Sequence, residues 1–142
     1  MPTMGADSTQ EALMSAADLS PTDLVLQFMK RMGPLDYDGA LKLVSDTCEY
    51  ANPPPYGTVR GPAAIRAVLE RFFAPTQENA FPVLRAAASG PVVLLERLDR
   101  HLVGDTWIEL PVTGVYEVHD GRITYWRDYF DVATLMSQLP AA

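Results

Sequence analysis

The chain has 142 residues, 48% of them hydrophobic, and a formal net charge of −7. That length suits a single domain and buries roughly two-thirds of the surface its unfolded form exposes, enough for one core and one pocket. No Lys/Arg cluster falls on any predicted element, so the acidic balance argues against nucleic acid or an anionic membrane surface as a partner and leaves room for a small neutral or cationic ligand.

Met1 to Leu19 is small, polar and weakly acidic, and reads as a flexible tail ahead of a single domain over residues 20–142. It has no basic start followed by a continuous apolar segment, and no run of membrane length follows, so a cytoplasmic protein is expected. Ser20-Pro21 is an N-cap with proline at the first helical position. Leu24, Val25, Phe28, Met29 and Met32 then recur at helical spacing. Gly33-Pro34 ends this helix, and a second, short one is expected over Tyr37 to Val44.

Thr47 to Asn52 reads as a strand with Cys48, Tyr50 and Asn52 on one face, cut off by Pro53-Pro54-Pro55. The single cysteine, Cys48, excludes an internal disulfide, and its apolar neighbours mark it as a buried, inert thiol. After Gly61-Pro62 a helix is expected to about Phe73, with Ile65, Val68, Leu69, Phe72 and Phe73 as its stripe. From there the pattern changes to strands: Phe81 to Ala88, Val92 to Leu102, Thr106 to Val118 and Arg122 to Phe130. Turns containing Gly90, Gly104 and Asp120-Gly121 join them as an antiparallel meander, and Val132 to Leu139 closes the chain as a helix. Helices first and strands later give an α+β domain whose curved sheet wraps over helices.

Two of these strands carry charge where a core face is expected. In Val92 to Arg100 the period of two puts Val93, Leu95, Arg97 and Asp99 on one side. A charge buried there without its partner costs on the order of 3 to 5 kcal/mol, so Arg97 and Asp99 belong together. In the last strand Thr124, Trp126, Asp128 and Phe130 share a face, which sets a carboxyl between two large aromatics. Alone, Asp128 is either a satisfied structural hydrogen-bonding group or one tuned for proton transfer. Together with Arg97, Asp99, Tyr50 and Asn52 it makes an acid-base site, in which two nearby carboxyls cannot both ionise freely.

Tyr50-Ala51-Asn52, Glu96-Arg97-Leu98-Asp99 and Tyr125-Trp126-Arg127-Asp128-Tyr129-Phe130-Asp131 resemble the three motif segments of the limonene-1,2-epoxide hydrolase family. The order is the same, the spacing nearly so, and the likeness runs from about Asp23 to Leu135. It implies an α+β fold: a cone-shaped, strongly curved mixed β-sheet of the NTF2-like, SnoaL-like and cystatin-like class, with N-terminal helices packed over an internal pocket. It also implies a homodimer that converts a small-molecule epoxide and water to a vicinal diol, with no metal, organic cofactor or covalent enzyme intermediate. By the same resemblance Tyr50, Asn52 and Asp128 would hold the water and Asp128 would take its proton. Asp99 would protonate the epoxide oxygen, and Arg97 would bridge the two carboxyls.

The resemblance places Met29, Met32, Phe72 and Leu110 on the cavity wall, and with them Val112, Phe130 and Leu135. Trp126 stands beside Asp128. Methionines adapt their shape, which suits a terpenoid, cyclic or aryl epoxide. His101 departs from the family pattern, which has an aliphatic residue there. Its plain reading is a strand-end histidine touching solvent, whereas inside the pocket it would alter substrate range. Two rival functions share the fold: carbon-acid chemistry of the ketosteroid-isomerase or polyketide-cyclase kind, and a non-catalytic binding module. An arginine pinned between two carboxyls serves neither well.

Overall fold

The computed structural model describes residues 18–140. The expected tail therefore lies outside the described residues, apart from Asp18 and Leu19. The chain opens with α1 (Pro21–Met32), capped as expected by the Ser20 hydroxyl, which accepts a 3.1 Å hydrogen bond from the Asp23 amide. Its stripe of Leu24, Val25, Phe28, Met29 and Met32 is buried, and its exposed side ends in Lys30 and Arg31, suited to a helix C-terminus.

The second helix is shorter than its sequence pattern, with α2 confined to Tyr37–Leu41 and strand β1 covering Val44–Ala51. Val44 is claimed by the sheet: it lies beside Ile123 of the last strand, and the Leu43 carbonyl accepts from the Ile123 amide at 2.7 Å. A distant strand outbids the local helical pattern, which is how tertiary pairing overrides propensity. After the prolines come β2 (Thr58–Arg60), too short to leave a sequence signal, and α3 (Pro62–Phe73), which buries Ile65, Leu69 and Phe73. The strand expected over Phe81 to Ala88 is β4 (Val83–Ser89), and a short strand the sequence pattern did not signal, β3 (Glu78–Ala80), precedes it.

The long meander of β5 (Val92–Val103), β6 (Thr106–His119) and β7 (Arg122–Tyr129) follows the sequence pattern closely, before the closing helix α4 (Val132–Gln138). The β6–β7 turn has Asp120 at φ 53° and Gly121 at φ 73°, the left-handed pair that an Asp-Gly hairpin supplies. One sheet results, in the order β2-β1-β7-β6-β5-β3 with β4 also on β5. It is antiparallel except where β1 runs parallel to β7, so it is mixed, curled and unclosed.

The concave side takes the helices. Every inward residue of β6, from Ile108 through Leu110, Val112, Gly114, Tyr116 and Val118, is buried, and α1 packs against β4, β5 and β6. Strand β7 breaks its alternation: Ile123 and Trp126 are both buried, with Thr124 between them only partly so. The β6–β7 register slips here, from Glu117 opposite Tyr125 to Val118 opposite Ile123. This bulge at Thr124 re-aims Trp126 and Asp128 inward and takes Thr124 off the pocket face assigned to it by simple alternation.

Candidate active site

The charged stretch of β5 faces inward. Arg97 is 2% exposed, Asp99 5%, His101 4% and, from β7, Asp128 6%, so none of these groups is a solvated strand charge. Arg97 binds Asp99 with two nearly parallel bonds, Nε to Oδ1 at 2.9 Å and Nη2 to Oδ2 at 2.8 Å. Its outer edge meets Asp128, Nη1 to Oδ1 at 3.1 Å and Nη2 to Oδ2 at 3.3 Å. One planar guanidinium thus holds both carboxyls in fixed orientations, a geometry that lysine's single ammonium cannot reproduce.

Three aromatic residues complete the polar cluster. The Trp126 indole donates to Asp128 Oδ1 at 2.9 Å, and Tyr50 stacks on the indole at a ring separation of 3.8 Å. Tyr116, which the sequence reading passed over, accepts from Arg97 Nη1 at 2.5 Å and donates to Met29 Sδ at 3.6 Å. Burial, with Asp128 close by, raises the Tyr50 phenol well above its usual range. Burial also raises the Asp128 carboxyl, against the opposing pull of Arg97. For Arg97 burial acts the other way, but Asp128, Tyr116 and Asp99 outweigh it and hold its pKa well above the ordinary value.

These groups sit at one side of an internal cavity lined mostly by apolar and aromatic side chains, whose free volume of about 30 Å³ is room for a water or two between the packed walls. Tyr50, Asn52, Arg97, Asp99 and Asp128 all line it, so the five residues singled out from the sequence are brought together. Met29, Met32, Phe72, Leu110, Val112, Trp126 and Phe130 form the wall as expected. Leu135 does not. It packs against Ile108, Leu110 and Val112 in a small cluster of its own, with Phe72 and Phe130 alongside. Of the two readings of His101, the structure has the inward one: it lines the cavity between the rings of Phe73 and Phe81, at 5.4 and 5.7 Å. Among the described residues no cluster of His, Cys, Asp and Glu has the form of a metal site.

A model of the limonene-1,2-epoxide hydrolase catalytic domain matches residues 19–141. The chain belongs to the limonene-1,2-epoxide hydrolase family. It is 33% identical over 112 residues to the epoxide hydrolase EphG of Mycobacterium tuberculosis, covering 79% of this chain and 74% of that one. A solved M. tuberculosis LEH-like epoxide hydrolase superposes with a TM-score of 0.73 at 32% identity, over 84% of this chain and 88% of that one. A SnoaL-like protein from Shewanella denitrificans shares the fold, with a TM-score of 0.74 at 19% identity over 83% and 95% of the two chains. At the level of the family, then, the chain is an epoxide hydrolase. The fold is that of the NTF2-like and SnoaL-like proteins.

In this limonene-1,2-epoxide hydrolase relative, Tyr116 and Gly114 were legible but unread. Gly114 is a glycine in the middle of a long strand, a sign of close approach by another group. A Cβ built there would lie 2.6 Å from the Tyr116 hydroxyl and 2.8 Å from Arg97 Nη1. Cavity residues Leu69, Phe73 and Phe81 were also missed as lining, the first two because a helical stripe does not say which of its members face a void. Gly114→Ala is expected to destabilise the fold by about 1 to 3 kcal/mol, the usual cost of overpacking, and to cut turnover by displacing Arg97. Urea unfolding and steady-state rates with an epoxide would check both effects.

Proposed function

We propose that this protein converts an epoxide to a vicinal diol in one acid-base step by direct attack of water. The observation that carries the proposal is the guanidinium of Arg97 shared between Asp99 and Asp128 at the side of an apolar cavity. Opening an epoxide near neutral pH needs a base for the attacking water and a proton for the departing oxygen, each contributing about a hundredfold to ten-thousandfold. Asp128 is the base. A carboxyl raised by burial is a stronger base than an exposed one, and its Oδ2, held only by the 3.3 Å contact, keeps a lone pair for the water.

Asp99 is the acid. As the water oxygen bonds to one epoxide carbon, the carbon–oxygen bond breaks, Asp99 gives its proton to that oxygen, and Asp128 gains the proton lost by the water. Net proton count is unchanged, and the proton's return from Asp128 to Asp99 resets the site. Tyr50 and Asn52 orient the water, an effect of position rather than of charge. The cavity's aromatic and methionine walls suit a terpenoid, cyclic or aryl epoxide.

We also infer that two copies associate through the outer sheet face. Leu84, Leu94 and Tyr129 are 57%, 41% and 50% exposed, and a surface groove beside Leu98 and Pro111 runs between Leu84 and Tyr129. An apolar patch of this kind marks an interaction surface.

Asp99→Asn and Asp128→Asn are each expected to reduce diol formation at least a thousandfold without unfolding the protein. Appreciable residual activity in either would remove that residue from its role. Oxygen-18 water should label the diol within a single turnover. Activity requires Asp128 ionised, so it should be lost as pH falls through a limb lying above the ordinary aspartate value of 3.8. A limb at or below that value would reassign the base. In solution the chain should sediment at twice its 15.6 kDa, and Leu84→Glu with Tyr129→Glu should return it to that mass.

A further inference from the structure

The mechanism above leaves one buried polar group of the cavity unused. His101 lies two residues beyond Asp99 on the same face of β5, so the two side chains start about 7 Å apart along the strand. Its ring is held in one orientation and one tautomer by a chain of hydrogen bonds from the protein's edge. The Thr76 hydroxyl donates to the Phe73 carbonyl at 2.7 Å, which leaves its oxygen to accept from Asn79 Nδ2 at 2.8 Å. The Asn79 amide is thereby fixed with Oδ1 toward His101, 2.7 Å from Nδ1. An amide oxygen only accepts, so Nδ1 carries the proton and Nε2 is a bare acceptor.

Burial, aided by the positive charge of Arg97, lowers His101 to about 4, so the ring is neutral at neutral pH. Nε2 has no hydrogen-bond partner among the described residues, yet it is not sealed away. Among the described residues, Ser45 Oγ is the only fully buried side-chain polar atom without a partner. His101 is 4% exposed and lines the cavity, Nδ1 is taken by β3, and Phe73 and Phe81 flank the ring. Nε2 is therefore the polar atom His101 can present to a ligand. An aliphatic side chain would fill this position without leaving an acceptor short of a donor, which is costly in a buried place.

We propose that His101 Nε2 is a recognition subsite for a hydrogen-bond donor, and that the substrate is an epoxide carrying a hydroxyl group a few ångströms from its oxirane ring. The proposal rests on the hydrolase reading for the epoxide and on the Thr76–Asn79–His101 chain for the donor. The epoxide oxygen meets Asp99 while the hydroxyl reaches His101. A carbonyl or ether at the same place would face lone pair to lone pair and be disfavoured.

The test compares p-menth-1-ene 1,2-oxide with α-terpineol 1,2-oxide, which adds a hydroxyl at the isopropyl end. Wild type should favour the hydroxylated epoxide in kcat/KM by roughly three- to tenfold, the worth of one neutral hydrogen bond. In His101→Leu that ratio should fall to about one or below. Asn79→Leu should lower it by releasing the tautomer. A wild-type ratio near one, or a preference that survives His101→Leu, overturns the proposal.

Should neither epoxide be opened, the hydrolase reading fails and binding decides the subsite separately. In ¹⁵N-labelled protein, which has 2 histidines, a long-range proton–nitrogen spectrum should show His101 with Nε2 unprotonated. Adding α-terpineol should shift that nitrogen upfield, whereas p-menth-1-ene should not, with His119 as the internal control. A protonated Nε2, or no shift with the alcohol, overturns the subsite.

Discussion

A guanidinium held between two carboxyls, out of reach of bulk water, is the constraint on which the rest of this structure depends. Arg97, Asp99 and Asp128 would each be costly to bury alone, and their joint burial is tolerated only because the planar fork of Arg97 meets four carboxylate oxygens. With both carboxyls ionised the trio carries one excess negative charge in a low-dielectric setting. One added proton makes it neutral, so the pair has reason to keep a proton and to exchange it. The burial that makes each charge costly alone is also what favours a proton shared between the carboxyls.

The neighbours serve that constraint. Gly114 has no side chain because the Tyr116 hydroxyl and Arg97 occupy the space where one would stand. Tyr116 accepts from Arg97 Nη1, which also binds Asp128, and donates its own hydroxyl hydrogen bond to Met29, tying the cluster to α1. Trp126 donates to Asp128 and offers its face to Tyr50, so one indole fixes both a carboxyl and a phenol from a different strand. Such a fully connected network specifies its geometry because any member that moved would leave another unpaired.

Sheet curvature delivers these groups to one place. The parallel join of β1 to β7 sets Tyr50 beside Trp126, and the bulge at Thr124 turns Trp126 and Asp128 toward the helices. Phe72, Phe73 and Phe81 then close the apolar side of the cavity. Its walls keep water sparse around the carboxyls, which strengthens every electrostatic interaction inside.

Much of this was legible in the chain itself. The alternation in β5 and β6, the 3.6-residue stripes of α1 and α3, the Ser20 cap and the Asp120-Gly121 turn are local patterns, and each reports its own element. The three motif segments named Tyr50, Asn52, Arg97, Asp99 and Asp128, since charge on a core face needs a partner and strand period gives its direction. What the local pattern misjudged has a common cause. Val44 looked helical until Ile123 claimed it, Thr124 alternated inward until the bulge removed it, and Leu135 packed against Ile108, Leu110 and Val112 rather than lining the cavity. By itself the sequence determined which faces are apolar and which polar residues stand on them, because side-chain period and residue type are properties of the chain. Only the tertiary structure decided which strands meet in parallel, where a register slips and which nitrogen of His101 is bare, because those depend on contacts between residues far apart in sequence.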